Sequence, residues 1–128
     1  MLNKIVIRFA NGKVMKGTTE DFYPNKEVFH MKDKENGGYH EIKVGDLKAV
    51  FFVRSFEGSS EYKDRNDIER TGLGRKIEVR FKDGETIIGY TQGFSPNRAG
   101  FIVSPADPDC NNERVFIVKA ATENVQLI

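Results

Sequence analysis

The chain has 128 residues, 38% of them hydrophobic and 30% charged, and its 20 Lys and Arg against 19 Asp and Glu leave a formal net charge of +1. No apolar run approaches the ~20 residues of a bilayer-spanning helix, so a membrane-spanning helical protein is excluded and a soluble globular chain is expected. Lys and Arg number 9 against 7 acids over residues 1–53, 5 against 5 over 54–75 and 6 against 7 over 76–128, too even a balance for a protein that coats nucleic acid through phosphate neutralisation.

The first elements alternate with the period of a half-buried strand. Ile5, Ile7 and Phe9 interleave with Val6 and Arg8, which leaves no signal peptide at the start of the chain. Asn11-Gly12 follows as a hairpin pair suited to a type I′ turn. The second strand, Lys13 to Thr18, carries Gly17, where a strand bends sharply or another backbone comes close. After Asp21 to Lys26, a turn flanked by aromatics, strands are expected at Glu27 to Lys32, Tyr39 to Val44 and Leu47 to Val53. The last, LKAVFFV, is the most apolar run in the chain and reads as buried on both faces.

Residues 54–75 break the pattern and read as a charged linker, either a loop or a short helix within Glu61 to Arg70 capped by Ser59 or Ser60. Gly72 and Gly74 lack the spacing of a phosphate loop.

Residues 76–128 then restate the first design. At an offset of 72, eleven of the twenty-eight positions of Lys4–Met31 recur in Lys76–Val103, among them Gly12/Gly84, Gly17/Gly89, Pro24/Pro96, Asn25/Asn97 and Phe29/Phe101. Such a repeat marks each copy as one supersecondary unit. Ser104 to Glu113 is a longer loop than its counterpart. Asp107, Asp109 and Asn111 have the opening spacing of a calcium loop, but Asn112 stands where glycine is needed and Val118 where the bidentate glutamate is needed. Strands at Arg114 to Lys119 and Val125 to Ile128 complete the second copy, with a break at Ala120 to Asn124. Two cores follow, one of Ile5, Ile7, Phe9, Phe29, Val50 and Phe52, the other of Ile77, Val79, Phe81, Phe101, Val125 and Leu127.

The order of strands, the Asn/Asp-Gly turns, the bends at Gly17 and Gly89 and the aromatic-Pro-Asn turns after Phe22 and Phe94 resemble the Sm-like barrel, a five-stranded SH3-like fold. The expected fold class is therefore all-β: two tandem five-stranded Sm-like/SH3-like small barrels, residues 1–53 and 76–128, joined by the charged linker 54–75. The phrases KAVFFVRSFEG and FIVSPADPDCNNERVFIV are also similar to an uncharacterised bacterial domain family. The Sm-like resemblance implies RNA binding and ring assembly through the fourth and fifth strands. The chain departs from that pattern: no helix precedes Ile5, and Gly45-Asp46 and Ala120-Ala121-Thr122 stand where a basic nucleotide-binding signature would follow the fourth strand.

Catalysis finds no support. His30 and His40 lie on or beside strands, no Ser or Cys has an activated context, and paired acids sit in turns. Cys110 is alone, which excludes an internal disulfide and favours a reducing cytoplasm. No enzyme, cofactor or metal is expected. The expected function is a non-catalytic binding or interaction module, such as an accessory of bacterial signalling or regulation, with a protein as partner and no membrane. An RNA reader is the alternative, for which Arg80, Tyr90, Asn97, Arg98, Asn112 and Arg114 supply planar and forked side chains suited to bases and phosphates. A cyclic-dinucleotide receptor of the PilZ type is weaker, because Arg65 and Arg70 are one residue too far apart and Asn97-Arg98-Ala99-Gly100 lacks the serine of that family's phrase.

Overall fold

The computed structural model describes residues 2–57, 68–94 and 98–128. The chain is all-β. Its ten strands are β1 (Asn3–Phe9), β2 (Val14–Thr19), β3 (Val28–Asp33), β4 (Tyr39–Lys43), β5 (Leu47–Val53), β6 (Arg75–Phe81), β7 (Thr86–Thr91), β8 (Gly100–Pro105), β9 (Asn112–Val118) and β10 (Thr122–Leu127). Single 3-10 turns, Val44–Asp46 and Lys119–Ala121, lead into β5 and β10. The helix expected within 61–70 falls mostly outside the described residues, as does Asn97.

All pairings are antiparallel and run in one order, β10-β6-β7-β8-β9-β5-β1-β2-β3-β4. In place of two separately closed barrels there is one open sheet with β4 and β10 at its ends. What joins the halves is the pairing of β5 with β9, Ala49 opposite Ile117 and Val50 opposite Phe116. Registers recur between the halves. Ile5 pairs with Gly17 as Ile77 pairs with Gly89, Ile7 with Val50 as Val79 with Val125, and Phe29 with Ile42 as Phe101 with Ile117. Hydrogen bonds recur with them: Thr19 Oγ1 donates to the His30 carbonyl at 2.8 Å and Thr91 Oγ1 to the Ile102 carbonyl at 2.9 Å.

The joint explains why LKAVFFV is apolar at nearly every position. Leu47, Val50 and Phe52 face one core, with Ile5, Ile7, Phe29, Met31 and Phe116. Ala49, Phe51 and Val53 face the other, with Ile77, Val79, Phe81, Phe101 and Ile117. Because side chains alternate along a strand, β5 and β9 each serve both cores, and all seven residues of β5 are buried. The expectation of burial on both faces holds for this reason.

Two expected features take a different form. The Asn11-Gly12 and Asp83-Gly84 turns have positive φ only at glycine, +94° at Gly12 and +96° at Gly84. Phe9 N–H donates to the Lys13 carbonyl and Gly12 N–H to the Phe9 carbonyl. Each is thus a three-residue type I turn with glycine in the left-handed position, not a type I′ turn, and its bulge suits the strand twist equally well. Gly17 and Gly89 have no positive φ; they are glycine because a Cβ would stand 2.1 Å from the Lys32 carbonyl oxygen and 2.3 Å from that of Ser104. The cores match expectation except at two ends. Phe9 and Val125 are only partly buried against their cores, and Leu127 is 41% exposed, because β10 has a neighbour on one side alone.

Candidate interaction surfaces

Those of the expected ligand-binding residues that are described, Arg80, Tyr90, Arg98, Asn112 and Arg114, have separate surroundings. Arg80, exposed on β6, pairs with Glu123 across to β10 at 3.4 Å. Tyr90 is buried on β7, and its hydroxyl accepts from Arg70 N–H at 3.1 Å while lying 3.3 Å from the Ile68 carbonyl and Glu69 Oε2. Tyr90 therefore anchors the segment that enters β6. Asn112 begins β9 opposite Val53, and its carbonyl accepts from the buried Cys110 Sγ. Arg114 lies on β9 with its guanidinium 4.3 Å from the centre of the Phe52 ring, a cation–π contact within one sheet. Among the described candidates, Arg98 lines a concave surface. The calcium-like residues also have local tasks: Asp107 Oδ1 accepts from Asp109 N–H, and Asn111 bonds Ser55 through both ends of its amide.

The concave surface is a groove of about 1310 Å³ at one end of the β5–β9 joint. The turn before β3, the end of β4 and the 3-10 turn before β5 supply Lys26, Lys43 and Asp46 from the first half; the turn before β8 and the 3-10 turn before β10 supply Arg98 and Lys119 from the second. Equivalent hydrogen bonds pin the walls, Val44 N–H to the Glu27 carbonyl and Lys119 N–H to the Ala99 carbonyl, each at 2.9 Å. Val44 and Val118, nearly fully buried, form part of an apolar floor.

A second feature, which sequence reasoning missed, lies behind the joint. Lys48 of β5, 8% exposed, extends over the Phe81 ring at 4.6 Å, reaches Asp83 at 2.7 Å and forms a short ion pair with Glu85. Burial pulls the Lys48 pKa down, but the bonds to Asp83 and Glu85 outweigh it and the net shift is upward. The Lys48 ammonium, helped by the Glu85 backbone N–H, holds the Asp83 carboxyl below its ordinary range. This latch binds the hairpin turn of the second half to the back of the first. A lysine alone among apolar residues in LKAVFFV was its only signal.

On the first half, Asp21 organises the turn before β3. It accepts from His30 N–H at 2.9 Å and lies 2.8 Å from His30 Nδ1. Partial burial pushes its carboxyl up, and the His30 bonds override this and lower it. The second half has Gly93 and Ile102 at the corresponding positions and cannot repeat the arrangement.

Across its whole length, residues 1–128, the sequence matches DUF6982, described as a family of unknown function. The chain belongs to DUF6982. No curated protein and no solved structure matches it. Among the described residues of this DUF6982 chain, no helix is long and apolar enough to cross a membrane. Among the described residues the surfaces open to binding include the two strand edges of the sheet and the groove.

Proposed function

We propose that this chain is a non-catalytic protein-interaction module made of two copies of one small-barrel unit, and that it joins further copies of itself edge to edge. The recurring registers support the two-copy reading. The observation that carries the assembly is what the outer edges present when the inner joint is used as their template.

The last strands of the halves correspond at an offset of 75, as Val50 and Val125 do, and so do the fourth strands, as Glu41 and Phe116 do. Carried outward, the β5–β9 register sets β10 of one copy against β4 of the next, with Asn124 opposite Ile42, Val125 opposite Glu41 and Leu127 opposite Tyr39. Tyr39 and Leu127, 76% and 41% exposed, would cover each other. Charge follows suit with its sign reversed. Lys48 corresponds to Glu123, and Asp83 and Glu85 to Asn11 and Lys13, so the inner Lys48–Glu85 pair becomes Glu123 against Lys13 between copies. Phe9, beneath Lys13 at 5.7 Å, is only partly buried where its counterpart Phe81 is sealed by Lys48. A free strand edge is a template for pairing, and opposite charges set the partner and register.

Sedimentation velocity over a concentration series tests this. Association that rises with concentration is expected, weakened by Lys13→Glu and by Glu123→Lys alone and restored when both are combined. A monomer at every concentration, or single variants that associate like wild type, would overturn it.

A further inference from the structure

We infer that the groove at the end of the joint is a docking site for an extended segment of another protein whose acidic side chains alternate with aliphatic ones. It stands whether or not copies assemble, and its one residue on the paired edge is Lys43, the last of β4.

Charge comes first. The groove collects Lys26, Lys43, Arg98 and Lys119 against Glu27 and Asp46, four cations against two carboxylates, in a chain whose overall balance is +1. Several cations elsewhere on the molecule have carboxylate partners: Lys34 with Glu57, Lys48 with Asp83 and Glu85, Lys76 with Glu69, Arg80 with Glu123. Lys43 and Arg98, both exposed, enter no ion pair among the described residues. The four cations come from four separate segments and both halves of the sheet, so they line a path along which a chain of carboxylates can be met in turn.

Shape and lining then choose among anionic partners. The volume exceeds the ~300–1,000 Å³ of ordinary small-molecule pockets, which suits a length of chain. Single-stranded nucleic acid is held by stacking bases on aromatic rings as much as by phosphate contacts, and no aromatic side chain among the described residues lines this groove. Its apolar lining is aliphatic instead: Val28, Val44, Val118 and the small Ala99 and Ala120. An extended peptide sends successive side chains to opposite sides, so aliphatic residues can meet that floor while intervening acids meet the rim.

The test is fluorescence anisotropy at physiological salt with a fluorescein-labelled peptide of alternating Glu and Val, its Lys and Val counterpart, and an oligouridylate. Saturable binding of the acidic peptide alone is expected. Lys43→Glu combined with Arg98→Glu should weaken it about tenfold or more while leaving the melting temperature unchanged, since both side chains are exposed and enter no ion pair among the described residues. The Lys13→Glu, Glu123→Lys double variant should bind the acidic peptide as wild type does, which separates this site from the edges. Equal binding of the basic peptide, preference for the oligouridylate, or no binding of the acidic peptide at millimolar concentration would each overturn the inference.

Discussion

The same pair of strand positions occurs twice in this chain, once at the centre of the sheet and once at its ends, and the residues chosen differ in kind. At the centre, β5 and β9 meet through Ala49, Val50, Phe51, Val115, Phe116 and Ile117, all buried. At the ends, the corresponding strands carry Asn124, Val125 and Gln126 on β10 and His40, Glu41 and Ile42 on β4. A permanent joint needs apolar faces on both sides because it completes two cores. An edge that must stay in water in the absence of a partner needs polar residues to limit indiscriminate pairing. One backbone design therefore serves as an obligate joint in one place and as a guarded edge in the other.

Phe116 and Glu41 occupy matching positions and give the sharpest contrast. Phe116 is 1% exposed in the first core, against Phe22 at 5.1 Å, so Phe116→Ala should cost about 3–5 kcal/mol in urea unfolding. Glu41→Ala should stay within about 0.5 kcal/mol of wild type. Comparable losses at the two sites would show that the inner joint is not the larger source of stability.

Gly17 and Gly89 come next, and here the halves should agree. In each a new Cβ would run into a carbonyl oxygen of the following strand, so alanine forces β2 from β3, or β7 from β8. A loss of about 1–3 kcal/mol is expected at both sites. A harmless Gly17→Ala beside a damaging Gly89→Ala would mean that the halves differ in more than their outer faces.

The latch should contribute less, because Asp83 and Glu85 are about half exposed and remain solvated when Lys48 is lost. Lys48→Met, which keeps the packing over Phe81, should cost about 1 kcal/mol near neutral pH. Its pH dependence has a definite sign. With the folded Lys48 pKa raised, its contribution is complete below the ordinary value of 10.5 and is lost as pH rises through the folded value. With the folded Asp83 pKa lowered, that contribution is present above 3.8 and is lost as pH falls through the folded value. The difference between wild type and Lys48→Met should therefore be largest between these limits and vanish beyond both. A constant difference across pH would assign Lys48 a packing role alone.

Much of the strand plan was legible because alternation and Gly-centred turns are local signals. The repeat carried the rest, since any strand read in one half could be checked in the other. What the sequence hid was which edges meet. Local patterning favoured two closed barrels because short sheets need their edges protected, yet the apolar continuity of both LKAVFFV and RVFIV was a trace of the joint: a strand serving a single core would alternate. Arg80, Tyr90, Asn112 and Arg114 were chosen for side-chain chemistry, and the fold uses each for a local contact. Among the described candidates Arg98 alone lines the groove, because the residues that build the groove with it are distant in the chain and not marked by any motif.

The smallest effect on the folded monomer belongs to Leu127, and it separates the edge from the core most directly. Its counterpart Phe52 is 4% exposed inside the first core, whereas Leu127 is 41% exposed and, in the proposed assembly, meets Tyr39 of another copy. Leu127→Ser removes an apolar side chain that already contacts water, so the melting temperature should hardly move, within about 0.5 kcal/mol of stability. Association between copies should nevertheless weaken, because burial of that side chain against Tyr39 is gained only there and apolar burial yields roughly 25 cal/mol per Å². Differential scanning calorimetry and sedimentation on the same sample read both quantities. A lowered melting temperature with unchanged association would place Leu127 in the second core and remove the guarded edge from the comparison.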